Sequence, residues 1–162
     1  MGHPLMRFVS TRGEAPVLGF SDAVLSGLAS DGGLYLPETW PKFTPVEIAG
    51  FAGKPYAGVA FAVISRFVDG EIPSDKLRAI IDGAYATFRH PSVTPLVELA
   101  PGRFVLELFH GPTLAFKDVA MQFLSRTMDY ILAARGSRAT IVGATSGDTG
   151  SAALEAFRGR DT

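Results

Sequence analysis

Apolar residues between positions 20 and 90 recur mainly at the three- and four-residue spacing of amphipathic helices. Short apolar runs at 8–10 and 34–36 interrupt this pattern and predict extended segments. This part of the chain is therefore expected to be mostly helical. The predicted helices are residues 20–33 with Ser21 as N-cap, a short helix opened by a capping box of Thr44 and Glu47, residues 56–70, and residues 75–88 with Ser74 as N-cap.

The pattern changes after residue 90, where strand-like and helix-like segments alternate. This alternation is typical of the beginning of an α/β domain with a parallel sheet. The predicted elements are strands at 96–99, 103–108 and 139–144 and helices at 118–134 and 151–157. An apolar stripe on the first of these helices is expected to face the core, and consists of Val119, Phe123, Leu124, Thr127 and Ile131.

The change in pattern divides the chain into two predicted domains. Residues 1–90 form the helical domain, and residues 91–162 form the beginning of the parallel-sheet domain. A parallel sheet covered on both faces usually needs more strands than this second region supplies. We therefore expect the second domain to be incomplete and the chain to be truncated.

Composition narrows the possible functions. The chain has 162 residues, a formal net charge of −1 and no cysteine. Thiolate metal sites, disulfides and cysteine nucleophiles are excluded, and nothing favours nucleic acid or an anionic membrane as partner. Residues 1–5 lack the features of a signal peptide, and no apolar run has the length of a membrane span. A cytoplasmic protein is expected.

Lys117 stands where the helix at 118–134 begins, in the segment HGPTLAFKDVAMQFL. The positive end of the helix dipole and the apolar neighbours Leu114 and Phe116 should lower the pKa of its amine. A neutral lysine is a nucleophile that can form a Schiff base with a carbonyl compound. From position alone, a surface lysine paired with Asp118 is the better interpretation, because most lysines are solvated.

The second candidate site is the segment GATSGDTGSAA at 143–153, which follows an apolar run and opens a helix. Backbone N–H groups at such a junction, with the hydroxyls of Thr145, Ser146 and Thr149, suit a carboxylate or another small anion. The segment lacks the lysine of a Walker loop and the three-glycine spacing of a dinucleotide site. A plain capped turn explains it equally well.

The other polar residues give weaker evidence of a functional site. His110 precedes Gly-Pro and is expected to hold a turn by hydrogen bonds. Arg12 and Asp31 lie in glycine-flanked turns, and turn chemistry explains them adequately. The scattered histidines make no case for a metal site.

Four segments together resemble threonine synthase, a pyridoxal-phosphate family of the fold type II (tryptophan synthase β) superfamily. They occur in the family's order and span nearly the whole chain. They are FVSTRG at 8–13, DGGLYLPE at 31–38, ELFHGPTLAFKDVAMQ at 107–122 and VGATSGDTGSAA at 142–153.

The resemblance implies a mostly helical N-terminal domain and a three-layer parallel-sheet catalytic domain. It implies that Lys117 carries pyridoxal 5′-phosphate covalently. It also implies that Asp148 lies beside the cofactor's 3′-oxygen, at a position where related enzymes often have asparagine. Thr145, Ser146, Gly147 and Thr149 then belong to the loop that binds the substrate carboxylate.

The implied enzyme is a carbon–oxygen lyase of threonine biosynthesis, which converts O-phosphohomoserine and water to threonine and phosphate. In this family the cofactor-phosphate loop and the partner of the pyridine nitrogen come later in the chain. The 162 residues alone are therefore expected to be inactive. Three alternatives stay open: a related phospho-lyase acting on the same substrate, a non-catalytic interaction module and a simple anion-binding protein.

Overall fold

The computed structural model describes residues 6–160, so the prediction made for residues 1–5 lies outside the described residues. One unit contains the described residues up to Lys54 together with Gly58–Arg78, and the other contains Pro55–Ala57 and the residues from Ala79 onward. The elements are β1 (Phe8–Ser10), α1 (Phe20–Ser26), β2 (Tyr35–Pro37), α2 (Pro45–Ala49), α3 (Tyr56–Val68), α4 (Ser74–Tyr85), β3 (Leu96–Ala100), β4 (Arg103–Leu106), α5 (Asp118–Ala134) and α6 (Asp148–Phe157). The mixed helix and strand content agrees with the predicted α/β class, and the boundary near residue 90 stays a prediction.

In the first unit, β1 and β2 form an antiparallel pair in which Phe8 lies opposite Pro37 and Ser10 opposite Tyr35. The pairing turns Phe8 inward, where its ring lies 6.2 Å from that of Phe20. Burial of these apolar side chains stabilises the short ladder, which is too small to be stable alone. The apolar core of this unit consists of Phe8, Phe20, Ala29, Val68, Ile72 and Leu77.

Helix α1 is shorter than predicted and has a different N-terminal cap. It ends at Ser26, where Gly27 has a positive φ of 65°, a backbone conformation that favours glycine. Ser21 is not its N-cap. The carboxylate of Glu71 accepts hydrogen bonds from the backbone N–H groups of Phe20 (2.6 Å) and Ser21 (2.9 Å). A carboxylate far along the chain thus satisfies the first orphan donors of the helix.

The capping box at the start of α2 is confirmed. The Thr44 hydroxyl oxygen accepts a hydrogen bond from the N–H of Glu47, and the Glu47 carboxylate accepts one from the N–H of Thr44 at 2.8 Å. Pro45 occupies the first helical position, where its missing N–H costs nothing. Local interactions therefore determine where this helix begins.

In the second unit, β3 and β4 form an antiparallel hairpin about the Pro101-Gly102 turn, as predicted. Gly102 has φ of 71°, a conformation that favours glycine at this turn. Helices α5 and α6 pack against each other. Ala152 and Ala156, four residues apart on α6, are buried, and small side chains allow a close approach.

The bounds of α5 match the predicted helix at 118–134, but its buried face is different. Thr127 and Ile131 are buried as expected, whereas Val119, Phe123 and Leu124 are only partly buried. The remaining buried positions are Asp118, Gln122, Ser125 and Leu132. This helix therefore places polar side chains in its packed face, and each buried side-chain nitrogen or oxygen atom among the described residues has a hydrogen-bond partner.

The strand predicted at 139–144 is wrong. These residues take no regular structure, and Val142 is 90% exposed. A parallel strand needs a hydrogen-bonded neighbour, and both sheets of residues 6–160 are antiparallel pairs that do not include this segment. Among these residues, no helix is long and apolar enough to cross a membrane.

Candidate active site

Lys117 immediately precedes α5, in helical backbone conformation with φ of −59° and ψ of −26°. Its side chain is partly exposed, and Nζ lies 4.7 Å from the centroid of the Phe116 ring. Such a cation–π contact places the nitrogen against an apolar face at the surface. The amine therefore remains accessible to a ligand, and the nucleophilic chemistry predicted for it stays a prediction.

The surface-lysine interpretation supposed that Asp118 pairs with Lys117. In the structure Asp118 pairs with Thr113 instead. Its carboxylate is fully buried, with an exposed fraction of 0%. Its two oxygens accept hydrogen bonds from the backbone N–H and from the hydroxyl of Thr113, each at 2.8 Å. A carboxylate in the first turn of a helix is also favoured by the helix dipole. Asp118 thus joins the start of α5 to the turn that precedes Lys117.

The turn itself is closely packed and strained. Leu114 has φ of 64°, which is unfavourable for a residue with a branched side chain. A Cβ atom on Gly111 would lie 2.4 Å from Cβ and Oδ2 of Asp118, so a side chain has no room there. Sequence reasoning missed this arrangement, and the available signal was the aspartate in the first turn, five residues after a threonine.

His110, which opens the turn, forms a hydrogen bond with Glu107, with 2.7 Å between Nε2 and Oε2. Its carbonyl oxygen accepts a hydrogen bond from the N–H of Arg89 at 2.9 Å. Its ring lies 5.0 Å from that of His90. The role expected for His110, holding a turn by hydrogen bonds, agrees with these contacts. In residues 6–160 no group of acidic or histidine side chains is arranged to hold a metal ion.

The second predicted site is a surface loop that opens α6. Thr145 Oγ1 accepts hydrogen bonds from the N–H groups of Gly147 and Gly150, both at 3.0 Å. This hydroxyl therefore caps the helix, because Gly147 at the N-cap position has no side chain to do so. Asp148 occupies the first turn, where a negative charge is stabilised by the helix dipole.

Within this loop, a hydrogen bond joins two of the predicted residues, Thr145 and Gly147. Thr145, Ser146, Gly147 and Asp148 are exposed, and Thr149 is partly exposed. In the described part of the chain, the N–H groups of Ser146, Asp148 and Thr149 have no hydrogen-bond acceptor. They form a set of donors suited to an anion. No hydrogen bond among residues 6–160 connects Lys117 to this loop.

A lysine before a long helix and a threonine- and glycine-rich loop at the start of the next helix fit the fold type II class of pyridoxal-phosphate enzymes. Within that class, residues 7–85 match the family described as the threonine synthase N terminus. Threonine synthase from Pseudomonas aeruginosa is 56% identical over 94% of this chain and 33% of its own length. The chain therefore spans about a third of the curated relatives that it matches.

The solved structures agree. The crystal structure of pyridoxal-phosphate-bound threonine synthase from Brucella melitensis is 65% identical and has a TM-score of 0.94, over 96% of this chain and 34% of that one. Threonine synthase from yeast is 38% identical with a TM-score of 0.89, over 99% of this chain and 34% of that one. By sequence and by structure, the chain is similar to the N-terminal portion of threonine synthases, which confirms the resemblance that the four motifs indicated.

Proposed function

We propose that this chain is the N-terminal part of a threonine synthase, which converts O-phosphohomoserine and water to threonine and inorganic phosphate in the cytoplasm. The observation that carries the proposal is Lys117, whose accessible amine lies at the start of α5 in a chain similar to a pyridoxal-phosphate-bound enzyme over 96% of its length. The three-layer parallel-sheet domain implied by the resemblance belongs to the same proposal.

The residues present fit the cofactor. In residues 6–160 no carboxylate forms a salt bridge with the Lys117 amine, and the neighbouring Asp118 carboxylate accepts its hydrogen bonds from Thr113. Lys117 would hold pyridoxal 5′-phosphate covalently, and Asp148 would lie beside its 3′-oxygen. When bound, the cofactor supplies an electron-withdrawing ring that stabilises negative charge at the substrate's α carbon.

The protein's own contribution is to bind the substrate and to move protons. The hydroxyls of Thr145, Ser146 and Thr149 and the free N–H groups of their loop, near Gly147, would bind the substrate carboxylate. The Lys117 amine, once released from the cofactor, would take one proton from the α carbon and one from the β carbon and would return protons to the γ and α carbons, while phosphate leaves the γ carbon and water supplies the hydroxyl at the β carbon. Both roles use groups that the described residues leave accessible.

The proposal is tested with the longest natural polypeptide that carries residues 1–162. It should form threonine and phosphate from O-phosphohomoserine, and Lys117→Ala should abolish this activity. Lys76→Ala, which removes an exposed lysine of α4, is the matched control and should retain it. Formation of 2-oxobutanoate in place of threonine would identify the phospho-lyase instead. Residues 1–162 alone are expected to be inactive and to bind the cofactor weakly.

One observation favours interaction with further protein as a second role. Strand β4 is exposed along its whole length, and Leu96 and Leu99 of β3 are exposed as well. Apolar side chains in such number usually contact another protein surface. If the remaining two thirds of a threonine synthase cover this hairpin, co-expression with them should reduce aggregation of residues 1–162, and that result would favour truncation over a separate binding function.

A further inference from the structure

The buried carboxylate of Asp118 and the turn before Lys117 form one connected unit. Thr113 donates two hydrogen bonds to Asp118, one from its N–H and one from its hydroxyl, both at 2.8 Å. Gly111 packs directly against the same carboxylate. Two hydrogen bonds thus join the ends of the segment 113–118, and Lys117 lies within this segment.

The segment 113–118 contains a residue in an unfavourable backbone conformation. Leu114 is left-handed with φ of 64°, and its side chain is exposed and makes no compensating burial. A residue held in this conformation persists only where the surrounding contacts over-determine it. The contacts that do so at one end of the segment are those between Thr113 and Asp118.

We propose that Asp118 and Thr113 are positioning residues for Lys117, which hold the turn so that the amine is presented at one place beside the Phe116 ring. This inference rests on the proposed function, since it concerns the reaction of that amine with pyridoxal phosphate. Neither residue needs to touch the cofactor. Their effect is to restrict where the Lys117 backbone and side chain lie before the covalent bond forms.

The test measures the covalent step apart from turnover. The natural polypeptide that carries these residues is freed of cofactor and mixed with pyridoxal phosphate at several concentrations. Borohydride reduction at timed intervals traps the modified lysine, and mass spectrometry identifies and quantifies it. The concentration dependence gives a maximal trapping rate and a half-saturating concentration, which report on the covalent step and on binding respectively.

Two variants weaken the hydrogen bonding between Thr113 and Asp118. Thr113→Val removes the hydroxyl donor at nearly constant shape, and Asp118→Asn removes the charge while retaining one acceptor oxygen. Each should lower the maximal trapping rate about tenfold, as expected for loss of a hydrogen bond to a charged group, and leave the half-saturating concentration unchanged. Thr113→Ser keeps both donors and should behave like the parent protein.

A general loss of stability is controlled by Ile131→Val, which shortens a buried side chain elsewhere on α5. If this variant lowers Tm by as much as Thr113→Val and Asp118→Asn do, its Lys117 should still be trapped at the parental rate. The positioning role would be overturned if Lys117 were trapped at the same rate in the parent protein, in Thr113→Val and in Asp118→Asn. It would also be overturned if Ile131→Val slowed trapping as much as these two variants do. Trapping of the parent protein at a lysine other than Lys117 would instead overturn the proposed function.

Discussion

The carboxylate of Asp31 accepts a 2.7 Å hydrogen bond from the hydroxyl of Ser10, which lies 21 positions earlier in the chain. The same carboxylate accepts hydrogen bonds from the N–H groups of Gly33 (2.9 Å), Glu14 (3.0 Å) and Ala15 (3.0 Å). The segments FVSTRG and DGGLYLPE are therefore joined through one side chain as well as through the β1–β2 pair. Their turns have a structural role that explains the polar residues in both motifs.

This arrangement predicts a loss of stability in acid. Desolvation raises the pKa of Asp31, but the hydrogen bonds from Ser10, Gly33, Glu14 and Ala15 outweigh it and hold the pKa at about 2, below the ordinary 3.8. A lowered pKa stabilises the folded state above pH 3.8, and this contribution is lost as the pH falls toward 2. Urea denaturation at a series of pH values should show this acid-dependent step, and Asp31→Asn should lack it. An unchanged step in Asp31→Asn would contradict the assignment.

A second prediction concerns the remote cap of α1. Glu71→Ala removes the acceptor for the N–H groups of Phe20 and Ser21 and should destabilise the protein by about 1 kcal/mol. Glu71→Gln keeps one acceptor oxygen and should lose less. Chemical denaturation followed by circular dichroism gives the two values, and equal midpoints for Glu71→Ala and the parent would show that the cap contributes nothing.

The turn before Lys117 predicts that two glycines respond differently to alanine. Gly111→Ala forces a Cβ to within 2.4 Å of Asp118 and should destabilise the protein by about 2 kcal/mol through overpacking. Gly143→Ala is the matched control, because the first atom its Cβ would meet is Thr145 Cγ2 at 4.0 Å. Thermal unfolding of both variants compares them. If the Gly111→Ala protein were as stable as Gly143→Ala, the turn would accommodate the added methyl group with little loss of stability.

The double hydrogen bond at Thr145 predicts a hydroxyl-dependent cap on α6. Thr145→Val should cost about 1 kcal/mol, because the N–H groups of Gly147 and Gly150 lose their acceptor, whereas Thr145→Ser should keep it. Amide hydrogen exchange of these two glycines measures the effect directly. Equal exchange rates in the valine and serine variants would exclude the hydroxyl as the cap.

Elements stabilised by contacts between near neighbours were predictable from the sequence. The capping box at Thr44 and Glu47, the hairpin at Pro101-Gly102 and the bounds of α5 all depend on residues within a few positions of one another. Lys117 and the 145–149 loop were also recognised as candidate sites, by their motifs and by the family resemblance. The hydrogen bonds around them were not.

The tertiary structure decided what depends on distant partners. Glu71 lies about fifty positions beyond the helix that it caps, and no local rule selects it over Ser21. The run at 139–144 has the composition of a strand, yet a strand forms only where a neighbouring strand supplies hydrogen bonds. Asp118 belongs to a residue type that is normally exposed, and it is buried here because Thr113 satisfies both of its carboxylate oxygens. Sequence alone determined which groups are available for chemistry, whereas the packed structure determined their partners, because the free energy of burying a charge depends on donors that only the fold brings within reach.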